Sequence, residues 1–375
     1  MHAPKHSIRW LLCCLVLIGS CCSAGGSVAS RRIRSFQRGI NLAEWFSQIR
    51  HGIGYTHAQF RDYFSPADFQ FLHDHGFTHV RLPFEPEIFF DPNEPERLKP
   101  KFLADFDEQI GRILAADLRI VLDPQARDET KARLSAEPKF AAAYAVWWKE
   151  FARHVALKND PDWVLLEVIN ESKVKTAQWM PMQEMIAAAM RAGAPGFTLV
   201  LTGGQWSTVG DLCELTPIAD PNVVYTVHYY EPEIYTQQGA PWWGKGMTYV
   251  KDLHYPLDPQ NQAEVIARIP PEYGGFRKLV REYDGTRKHA VEQFARAVAW
   301  GKRYGVAVWC GEFGVDQRSP AESRMRWIQD VREVLEQDHL GWTMWDYVGD
   351  CRLVEDPAHK AIAPAMGRAL GVVWP

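Results

Sequence analysis

Two stretches of this 375-residue chain carry most of the information about its architecture: Trp163–Glu171 (WVLLEVINE) and Gly305–Gly314 (GVAVWCGEFG). Each is a short apolar run bounded by polar residues or glycine, which is typical of buried parallel strands. Glu171 and Glu312 stand at the polar ends of these runs, where barrels and open α/β sheets carry their catalytic residues. Two carboxylates from different strands predict hydrolysis of glycosidic bonds, in which one protonates the leaving oxygen and the other attacks or activates water.

Strand-like and helix-like segments alternate eight times along the chain. This alternation, without a break in composition, favours one domain with an α/β fold, a closed (β/α)8 TIM barrel of parallel strands, over a doubly wound sheet. The predicted strands are Gln37–Leu42, Thr78–Pro83, Arg119–Asp123, Val164–Ile169, Thr198–Thr202, Val223–His228, Ala307–Gly311 and Gly341–Trp345. The predicted helices are Pro66–His75, Phe102–Ala116, Phe140–Lys158, Met182–Ala192, Ala290–Tyr304 and Ala321–Gln337. The segment Glu231–Arg287, rich in Pro, Gly, Trp and Tyr, is expected to form a loop over the active face.

The N-terminal segment has the pattern of a signal peptide. Lys5 and Arg9 form a basic region, Trp10–Ile18 is apolar, and small residues follow. The apolar stretch is too short to predict a membrane-spanning helix. We therefore expect residues 1–29 to be a signal and residues 30–375 to form the catalytic barrel.

Two processing sites are compatible with this segment. Ile18-Gly19-Ser20-Cys21 resembles a bacterial lipoprotein signal, in which Cys21 would be lipidated and become the new N-terminus, while Ser27-Val28-Ala29 resembles an ordinary signal peptidase site. The interpretation leans toward the lipoprotein. Either site predicts a secreted or cell-envelope protein, periplasmic or extracellular, whose only membrane contact would be an N-terminal lipid anchor.

Composition excludes several classes of function. The formal charge is −4, or −6 once Lys5 and Arg9 are removed with the signal, and no basic run suggests a nucleic-acid partner. Beyond the signal only Cys213, Cys310 and Cys351 remain, without metal-type spacing, so neither a zinc site nor a disulfide framework is predicted, and Cys310 is expected to be a small buried hydrophobe. Fifteen tryptophans are a high number, and an indole face suits the C–H face of a pyranose, although most are expected to pack the core.

Taken together, the strand ends resemble glycoside hydrolase family 5, the cellulase family. The motifs that carry the resemblance lie in order over about residues 36–370: GINLAEWF (Gly39–Phe46), HVRLP (His79–Pro83), INES (Ile169–Ser172), VHYY (Val227–Tyr230), GEFG (Gly311–Gly314) and WTMWDY (Trp342–Tyr347). The set is specific, although any one motif would be weak alone. The resemblance implies a (β/α)8 barrel, retention of anomeric configuration, no metal or other cofactor, and attack on β-linked glucans or mannans.

The resemblance also implies roles for individual residues. It makes Glu171 the general acid/base and Glu312 the nucleophile, with Asn170 as the ligand of the sugar 2-hydroxyl. His228 and Tyr230, which share a strand face, would line the catalytic subsite, and the Tyr230 hydroxyl would lie near the nucleophile.

Other residues are predicted by position and chemistry. Arg81 ends the second strand, where it would keep a carboxylate ionised, unless it is a structural ion-pair partner inside the barrel. The family resemblance further implies that Trp345 would be the platform under the sugar at the cleavage point. Trp45, Trp206, Trp242 and Trp243 are further candidate platforms or, equally, loop anchors, whereas Trp147 and Trp148 are assigned to helix packing.

One position departs from the family pattern. Where the family usually has a histidine two residues after an aspartate at the third strand, this chain has Gln125 in the sequence IVLDPQ. Glutamine still donates and accepts hydrogen bonds to a sugar hydroxyl, but it cannot be protonated. The departure bears on substrate preference, because both glutamates are intact.

These observations predict a monomeric retaining glycosidase of endoglucanase type, acting on β-1,4-glucan by double displacement. The alternatives are a mannanase, another β-glycanase or a transglycosylase of the same family. A carbohydrate-binding barrel without turnover is a further alternative, for which Gln125 is the only support. Fold alone would favour none of them, because barrels host unrelated chemistries.

Overall fold

A computed structural model describes residues 27–50, 52–91, 93–354 and 361–372, and it contains a closed barrel of eight parallel strands. Each strand pairs with its neighbour in the chain, and β1 pairs with β8. The predicted (β/α)8 barrel and all eight predicted strands are confirmed, with ends that differ by up to two residues. The strands are β1 (Arg38–Asn41), β2 (His79–Phe84), β3 (Arg119–Pro124), β4 (Val164–Glu167), β5 (Leu199–Thr202), β6 (Val223–Tyr229), β7 (Ala307–Phe313) and β8 (Trp342–Met344).

Helices surround the barrel, and the six predicted ones are confirmed. In the described residues the α-helices are α1 (Val28–Arg32), α2 (His57–Asp62), α3 (Pro66–Asp74), α4 (Leu103–Ala115), α5 (Asp128–Ala136), α6 (Pro138–Ala156), α7 (Thr176–Gly193), α8 (Val209–Cys213), α9 (Glu233–Thr236), α10 (Pro259–Arg268), α11 (Gly274–Glu282), α12 (Arg287–Tyr304), α13 (Ala321–Gln337) and α14 (Pro364–Leu370). Short 3-10 helices cover Ile33–Ser35, Pro86–Ile88, Pro100–Phe102, Pro241–Trp243, Lys245–Tyr249 and Pro271–Tyr273. Helix α7 begins six residues earlier than predicted because it continues through Pro181, which lies in its second turn.

The long segment after β6 is not a simple loop. Between Glu231 and Arg287 it contains three α-helices, α9 to α11, and three 3-10 helices. Its first part reaches the mouth of the barrel, whereas α10 and α11 pack against each other farther along the chain. High proline and glycine content indicated irregular backbone, but apolar residues such as Val265, Ile269 and Val280 are buried and hold these helices in place.

The barrel interior consists of an apolar layer and a polar layer. Alternate residues of each strand point inward. Toward the amino ends of the strands, one buried cluster contains Phe36, Val121, Leu165, Val200, Val224 and Trp309. Two residues farther along five of those strands, the buried positions are Asp123, Glu167, Thr202, Thr226 and Gly311. The polar layer therefore lies beneath the carboxyl ends of the strands.

Helix α1 covers the amino end of the barrel. Ala29 is fully buried there and belongs to the same apolar cluster as Phe36. Arg32 donates from Nη1 to the Gly196 carbonyl at 2.6 Å and from Nε to Asp162 at 2.6 Å. The predicted boundary between residues 29 and 30 thus falls within a packed helix, whereas the earlier part of the predicted signal lies outside the described residues.

Of the described cysteines, Cys310 and Cys351 are buried and Cys213 is partly buried. Cys310 is fully buried in β7, which confirms its assignment as a small hydrophobic residue. Cys213, Cys310 and Cys351 are free thiols in the part of the chain that the structure covers. None of the described helices has both the length and the apolar character needed to cross a membrane.

Candidate active site

Glu171 and Glu312 meet at the carboxyl end of the barrel. A carboxylate oxygen of each lies within 4.8 Å of the other, and His228 Nδ1 lies 3.0 Å from Glu171 Oε1 and 3.6 Å from Glu312 Oε2. Glu171 follows β4, while Glu312 lies in β7 beside His228 of β6. The pairing of β7 is irregular on both sides, with register shifts after Val227 and after Cys310. Such bulges redirect side chains next to active sites, and this one lies at the position of Glu312.

Glu312 is held by two groups. Arg81 donates from Nη1 to Oε1 at 2.7 Å, and the Tyr230 hydroxyl donates to Oε2 at 2.8 Å. Glu312 is only 4% exposed, so both bonds act in a medium of low polarity. Burial and the negative charge of Glu312 raise the pKa of Tyr230 well above its usual range, so the phenol stays a hydrogen-bond donor.

Arg81 is the centre of the polar layer. Its guanidinium is fully buried and all five N–H groups have partners, including a bidentate pair with Glu167 at 2.8 Å and 2.8 Å. The remaining donors go to Asn41, Asn170 and Glu312 at 3.0, 2.9 and 2.7 Å. Arg81 therefore serves both of the predicted alternatives, since it is a structural ion pair and also a direct partner of a candidate catalytic carboxylate.

Asp123 is the third carboxyl beside Arg81, at 3.1 Å from Nη2. One guanidinium cannot compensate three buried carboxylates, because the nearby like charges repel. Burial raises the pKa of Asp123 well above its usual range, against the opposing charge of Arg81, and neither oxygen has a hydrogen-bond partner in the described chain. The shift at Asp123 is thus toward the neutral form, while the hydrogen bonds of Arg81 go to Glu167 and Glu312 rather than to Asp123.

Glu171 has a different environment. Its oxygen Oε1 lies 3.0 Å from His228 Nδ1, and its side chain is 19% exposed. Burial alone would raise the pKa of Glu171, but the hydrogen bond and charge of His228 outweigh it and lower the pKa. Burial likewise opposes protonation of His228, yet Glu312 and Glu171 together raise its pKa. His228 and Glu171 thus form a hydrogen-bonded pair in which His228 lowers the pKa of Glu171 and Glu171 helps to raise the pKa of His228.

The backbone at Glu171 is strained. Its φ angle is 42°, in the left-handed region that costs a residue with a Cβ about 1 kcal/mol or more. Lys173, Gln205 and Ser207 in the adjoining loops also have positive φ angles of 57°, 47° and 57°. Such strain accumulates at functional sites, and here it surrounds the candidate acid/base.

The same donor set could accommodate a cation by distance alone. Glu171, His228 and Glu312 each offer one ligand atom within a 4.8 Å cluster. However, those atoms already form the His228–Glu171 hydrogen bond and the Tyr230–Glu312 hydrogen bond. The hydrogen bonds explain the clustering without an ion.

A cleft of about 780 Å³ opens above the two glutamates. The loops after β3, β4, β5 and β6 form its walls, and its lining consists of Asp128, Glu171, Lys173, Trp206, Thr208, His228, Tyr230, Glu231, Glu233, Gln237, Trp242, Trp243 and Glu312. Lys173 joins two of these loops, because its ammonium lies 2.7 Å from Asp128 and 4.9 Å from the centre of the Trp206 ring. Burial raises the pKa of Glu231 to about 7.

The tryptophans divide into two groups. Trp206, Trp242 and Trp243 are 52%, 50% and 40% exposed and line the cleft, so they can offer a face to a sugar. The guanidinium groups of Arg50 and Arg318 also lie close to Trp242, at 5.4 and 5.3 Å from its ring centre. Trp147 and Trp148 are fully buried, which confirms their assignment to packing.

Trp45 is not a sugar platform, and that prediction is wrong. It is fully buried, its Nε1 donates to the Phe60 carbonyl at 2.9 Å, and its ring packs edge-on against Phe64. Its place after β1 suggested the rim of the barrel. The apolar residues of α2 and α3 instead cover this loop and turn the indole into the core.

The remaining predicted residues surround the two glutamates. Asn170 accepts from Arg81, and its backbone N–H donates to the Pro124 carbonyl at 3.0 Å, which joins the ends of β3 and β4. Gln125 is 6% exposed, and its Oε1 has no hydrogen-bond partner in the described chain. Trp345 follows β8 and is partly exposed, and its backbone N–H donates to the Phe313 carbonyl at 2.9 Å. It thus follows a strand next to that of Glu312 but does not line the main cavity.

Sequence interpretation missed the polar layer beneath the glutamates. Asn41, Asp123 and Glu167 are fully buried partners of Arg81. Glu167 gave a usable signal, because an acidic residue inside an apolar strand requires a buried partner, and Arg81 interrupts another apolar strand in the same way. Glu231 gave no comparable signal, because it lies in a loop whose sequence has no strict periodicity.

The sequence matches the profile of Cellulase (glycosyl hydrolase family 5) over residues 46–350. Endoglucanase 3 of Fibrobacter succinogenes is 25% identical over 370 residues, covering 91% of this chain and 53% of the relative. This chain thus spans about half the length of that protein. Endoglucanase C of Acetivibrio thermocellus is 25% identical over 320 residues, covering 84% of this chain and 91% of the relative.

Solved structures have the same fold. The structure of Thermotoga maritima Cel5A in complex with cellobiose superimposes with a TM-score of 0.75 at 21% identity, covering 91% of this chain and 99% of that one. The clostridial cellulose synthase subunit Z from Clostridioides difficile gives a TM-score of 0.71 at 20% identity, covering 89% and 99%. At identities of 21% and 20%, this likeness shows that the barrel fold is shared and nothing more.

Proposed function

This chain belongs to the cellulase family, glycosyl hydrolase family 5, and on that basis we propose that it is a retaining endo-β-1,4-glucanase. Glu312 acts as the nucleophile and Glu171 as the general acid/base. The relatives named endoglucanase support a β-1,4-glucan substrate. The residues around the two glutamates support the division of roles.

The observation that carries the proposal is the separation of the two carboxyl groups. Oxygen atoms of Glu171 and Glu312 lie within 4.8 Å of each other. Retaining glycosidases need about 5 Å, because the nucleophile must reach the anomeric carbon while the acid reaches the glycosidic oxygen, whereas inverting enzymes need a wider gap for water. The spacing supports double displacement.

In the first step Glu312 attacks the anomeric carbon. Its charge is supported by Arg81 and Tyr230, which fix both oxygens. At the same time the glycosidic oxygen leaves with the proton held by the pair of Glu171 and His228, delivered through Glu171. Asn170 uses its oxygen to accept from Arg81, so its amide nitrogen is free to donate to the 2-hydroxyl as the oxocarbenium-like transition state forms.

In the second step the ionised Glu171 takes a proton from water, which attacks the glycosyl–Glu312 ester. This step needs Glu171 as a carboxylate, and the charge of His228 favours that form. The proton is returned to the shared pair, and Glu312 regains its negative charge beside Arg81. The product keeps the anomeric configuration of the substrate.

The shape of the cleft supports internal cleavage of a chain. Trp206, Trp242 and Trp243 extend the lining on the side of the loops after β5 and β6, beyond the glutamates. Flat indole faces bind the C–H faces of pyranoses without requiring a chain end. Gln125 and Trp345, near β3 and β8, would contact sugars on the opposite side of the cleavage point.

The test is a substrate screen with a matched control. Purified enzyme and the Glu312→Gln variant are compared for release of reducing ends from carboxymethyl-cellulose, lichenan, glucomannan and xylan. We expect the enzyme to release reducing ends from carboxymethyl-cellulose and lichenan and the Glu312→Gln variant to lose this activity. Proton NMR should show the β-anomer as the first product. Release from glucomannan alone would indicate a mannanase, and binding without release from any polysaccharide would indicate a non-catalytic barrel.

We also propose that the protein works outside the cytoplasm, anchored through Cys21. Its N-terminal sequence supports export, and the burial of Ala29 in α1 supports processing before Cys21 rather than after Ala29, since the later cut would remove a packed residue. Labelling with a palmitate analogue in a bacterial host tests this proposal. Label that disappears in Cys21→Ser is expected, and an unlabelled, soluble wild-type product would contradict the anchor.

A further inference from the structure

The imidazole ring of His228 has two nitrogen atoms, and the reaction described above uses only one of them. Nδ1 lies 3.0 Å from Glu171 Oε1. Nε2 is fully buried, and no atom of the described chain forms a hydrogen bond with it. A buried ring nitrogen calls for a partner in either protonation state, since with a proton on Nδ1 it is an acceptor in the neutral ring and a donor in the charged one. The surroundings of Nε2 therefore bear on how His228 serves Glu171.

Nε2 shares its surroundings with the hydroxyl group of Thr226. Thr226 lies two residues before His228 in β6, so both side chains point into the barrel. It is fully buried, and its Oγ1 also has no hydrogen-bond partner in the part of the chain that the structure describes. A methyl group placed on Gly311 would lie 2.5 Å from Thr226 Oγ1 and 3.5 Å from His228 Nε2. The two polar atoms therefore border the same small space.

The bulge in β7 creates this space. Gly311 is the extra residue of the bulge, because its two neighbours in the chain pair with consecutive residues of β6. The third group near a methyl on Gly311 would be the indole of Trp309, with Cζ3 at 3.2 Å, so one wall of the space is apolar. Buried waters in proteins bond to polar groups that have no other partner. The bulge that brings Glu312 beside His228 thus also leaves two hydrogen-bonding atoms facing each other behind the ring.

We propose that Thr226 is a positioning residue for the acid/base, and that its hydroxyl and one buried water beside Gly311 bond His228 Nε2 and keep the ring turned toward Glu171. A hydroxyl and a water both donate and accept, so they serve the neutral and the charged ring. They favour the charged ring, because a buried donor without a partner costs more when it carries a charge. The inference rests on the proposed function, in which Glu171 is the acid/base.

Other titratable groups also face His228. Burial lowers the pKa of His228 and Arg81 from β2 adds to this, whereas Glu312 from β7 and Glu171 from the loop after β4 together raise the pKa by more. Tyr230 follows on the same face of β6, but its hydroxyl donates to Glu312. Replacement of the threonine hydroxyl removes a hydrogen bond and leaves all four of these groups in place, so a change in the titration of His228 can be assigned to that bond.

The experiment compares Thr226→Val, Thr226→Ser and Thr202→Val. Valine has the shape of threonine without the hydroxyl, and serine keeps the hydroxyl. Thr202 of β5 is paired with Thr226 and also has a buried hydroxyl without a partner in the described residues, so Thr202→Val makes the same change in the same layer as a control. Nitrogen-15 NMR of histidine-labelled enzyme, with His228 assigned through His228→Asn, follows the ring without turnover. In Thr226→Val the titration of His228 should move down by about half a pH unit, and in the other two variants it should stay in place.

Two further readouts accompany the titration. When the charged ring is less favoured, Glu171 keeps its proton to higher pH, so the alkaline limb of kcat/KM on a soluble cello-oligosaccharide should move up in Thr226→Val alone. A crystal structure of the wild type should show a water within about 3 Å of both Thr226 Oγ1 and His228 Nε2.

The possible outcomes separate this inference from a structural role and from the proposed function. A merely structural hydroxyl would lower the melting temperature of Thr226→Val without moving the titration of His228. An unmoved titration, an equal shift in Thr202→Val, or a wild-type crystal structure without the water would each overturn the inference. Absence of turnover in the wild type, with the shift in Thr226→Val present, would overturn the proposed function alone.

Discussion

The two candidate catalytic glutamates occupy very different surroundings within one cleft. Glu312 lies in a strand of the barrel, 4% exposed, between a guanidinium and a phenol that do not titrate near neutral pH. Glu171 lies on a strained loop beside His228, the side-chain type whose charge changes at physiological pH. The two glutamate side chains are chemically identical, but their different neighbours fit them for different roles. Glu312 is bonded to groups that keep their protonation state near neutral pH, whereas Glu171 is bonded to a group that can change it.

The difference extends to the supporting structure. Glu312 depends on the polar layer inside the barrel, where Arg81 has a bidentate pair with Glu167. Glu171 depends on the loop after β5, whose backbone carbonyls at Gln205 and Ser207 accept from the Lys173 N–H and from the His228 N–H at the end of β6. Changes around Glu312 should therefore affect folding and catalysis together. Changes around Glu171 should mainly affect pH dependence and substrate preference.

Removing either carboxylate should have the largest effect and should separate their roles. Glu171→Gln and Glu312→Gln are each expected to lower kcat on a soluble β-glucan by about 10³-fold or more, because covalent and acid/base catalysis each fail without one partner. In Glu171→Ala, azide should restore turnover of an activated aryl cellobioside and give a β-glycosyl azide, since it replaces water in the second step. Azide rescue at position 312 with retained stereochemistry would reverse the assignment.

Arg81 tests the claim that the Glu312 side couples folding to catalysis. Arg81→Met leaves Glu167 and Glu312 buried without their cation, and breaking such a pair is expected to cost about 3–5 kcal/mol in the free energy of unfolding. Urea denaturation measures this cost, and kcat/KM should fall about 100-fold or more because Glu312 loses its position. Adding Glu167→Gln to Arg81→Met should recover part of the stability but none of the activity. Recovery of both would reduce Arg81 to a structural ion pair.

His228 tests the claim that the Glu171 side controls protonation. His228→Asn keeps a hydrogen-bonding side chain but removes the charge, so the pKa of Glu171 should rise. The alkaline limb of kcat/KM reports loss of the proton from the acid and should move up by about one pH unit. The unfolding free energy should also lose the part that the raised His228 pKa provides, which is present below pH 6.5 and declines as pH rises through the folded-state pKa. An unchanged limb would contradict the shared proton.

The barrel was predictable because its signals are local and repeated. Each strand is an apolar run of the right length, and the runs alternate with segments of helical period, so errors at single ends do not alter the topology. The segment after β6 was predicted less well. Its prolines and glycines indicated loops, but whether the residues between them form helices depends on burial of Val265 and Val280 against distant parts of the chain.

The site was predictable where a residue is tied to a strand end and unpredictable where tertiary packing decides. Glu171, His228, Tyr230 and Glu312 come together because their strands do. Trp45 also follows a strand, yet helices α2 and α3 cover it, and no sequence period reveals which loop will be covered.

Replacement of Trp206 should have the smallest effect on activity. Because Trp206 belongs to the loops around Glu171, its replacement should leave the surroundings of Glu312 unchanged. The indole is 52% exposed, and the Lys173 ammonium lies 4.9 Å from its ring centre, so its replacement by alanine leaves the barrel intact. We expect Trp206→Ala to weaken transition-state binding of cellopentaose by about 1 kcal/mol, with little change on an aryl cellobioside, whose small leaving group does not reach the indole. Trp163→Phe is the matched control, because Trp163 directly precedes β4 at the amino end of the barrel. This variant should leave the activity on both substrates unchanged. If Trp206→Ala weakened both substrates equally, the indole would support the glutamates rather than a distant sugar, and the loops around Glu171 would be as tightly coupled to catalysis as the barrel interior around Glu312.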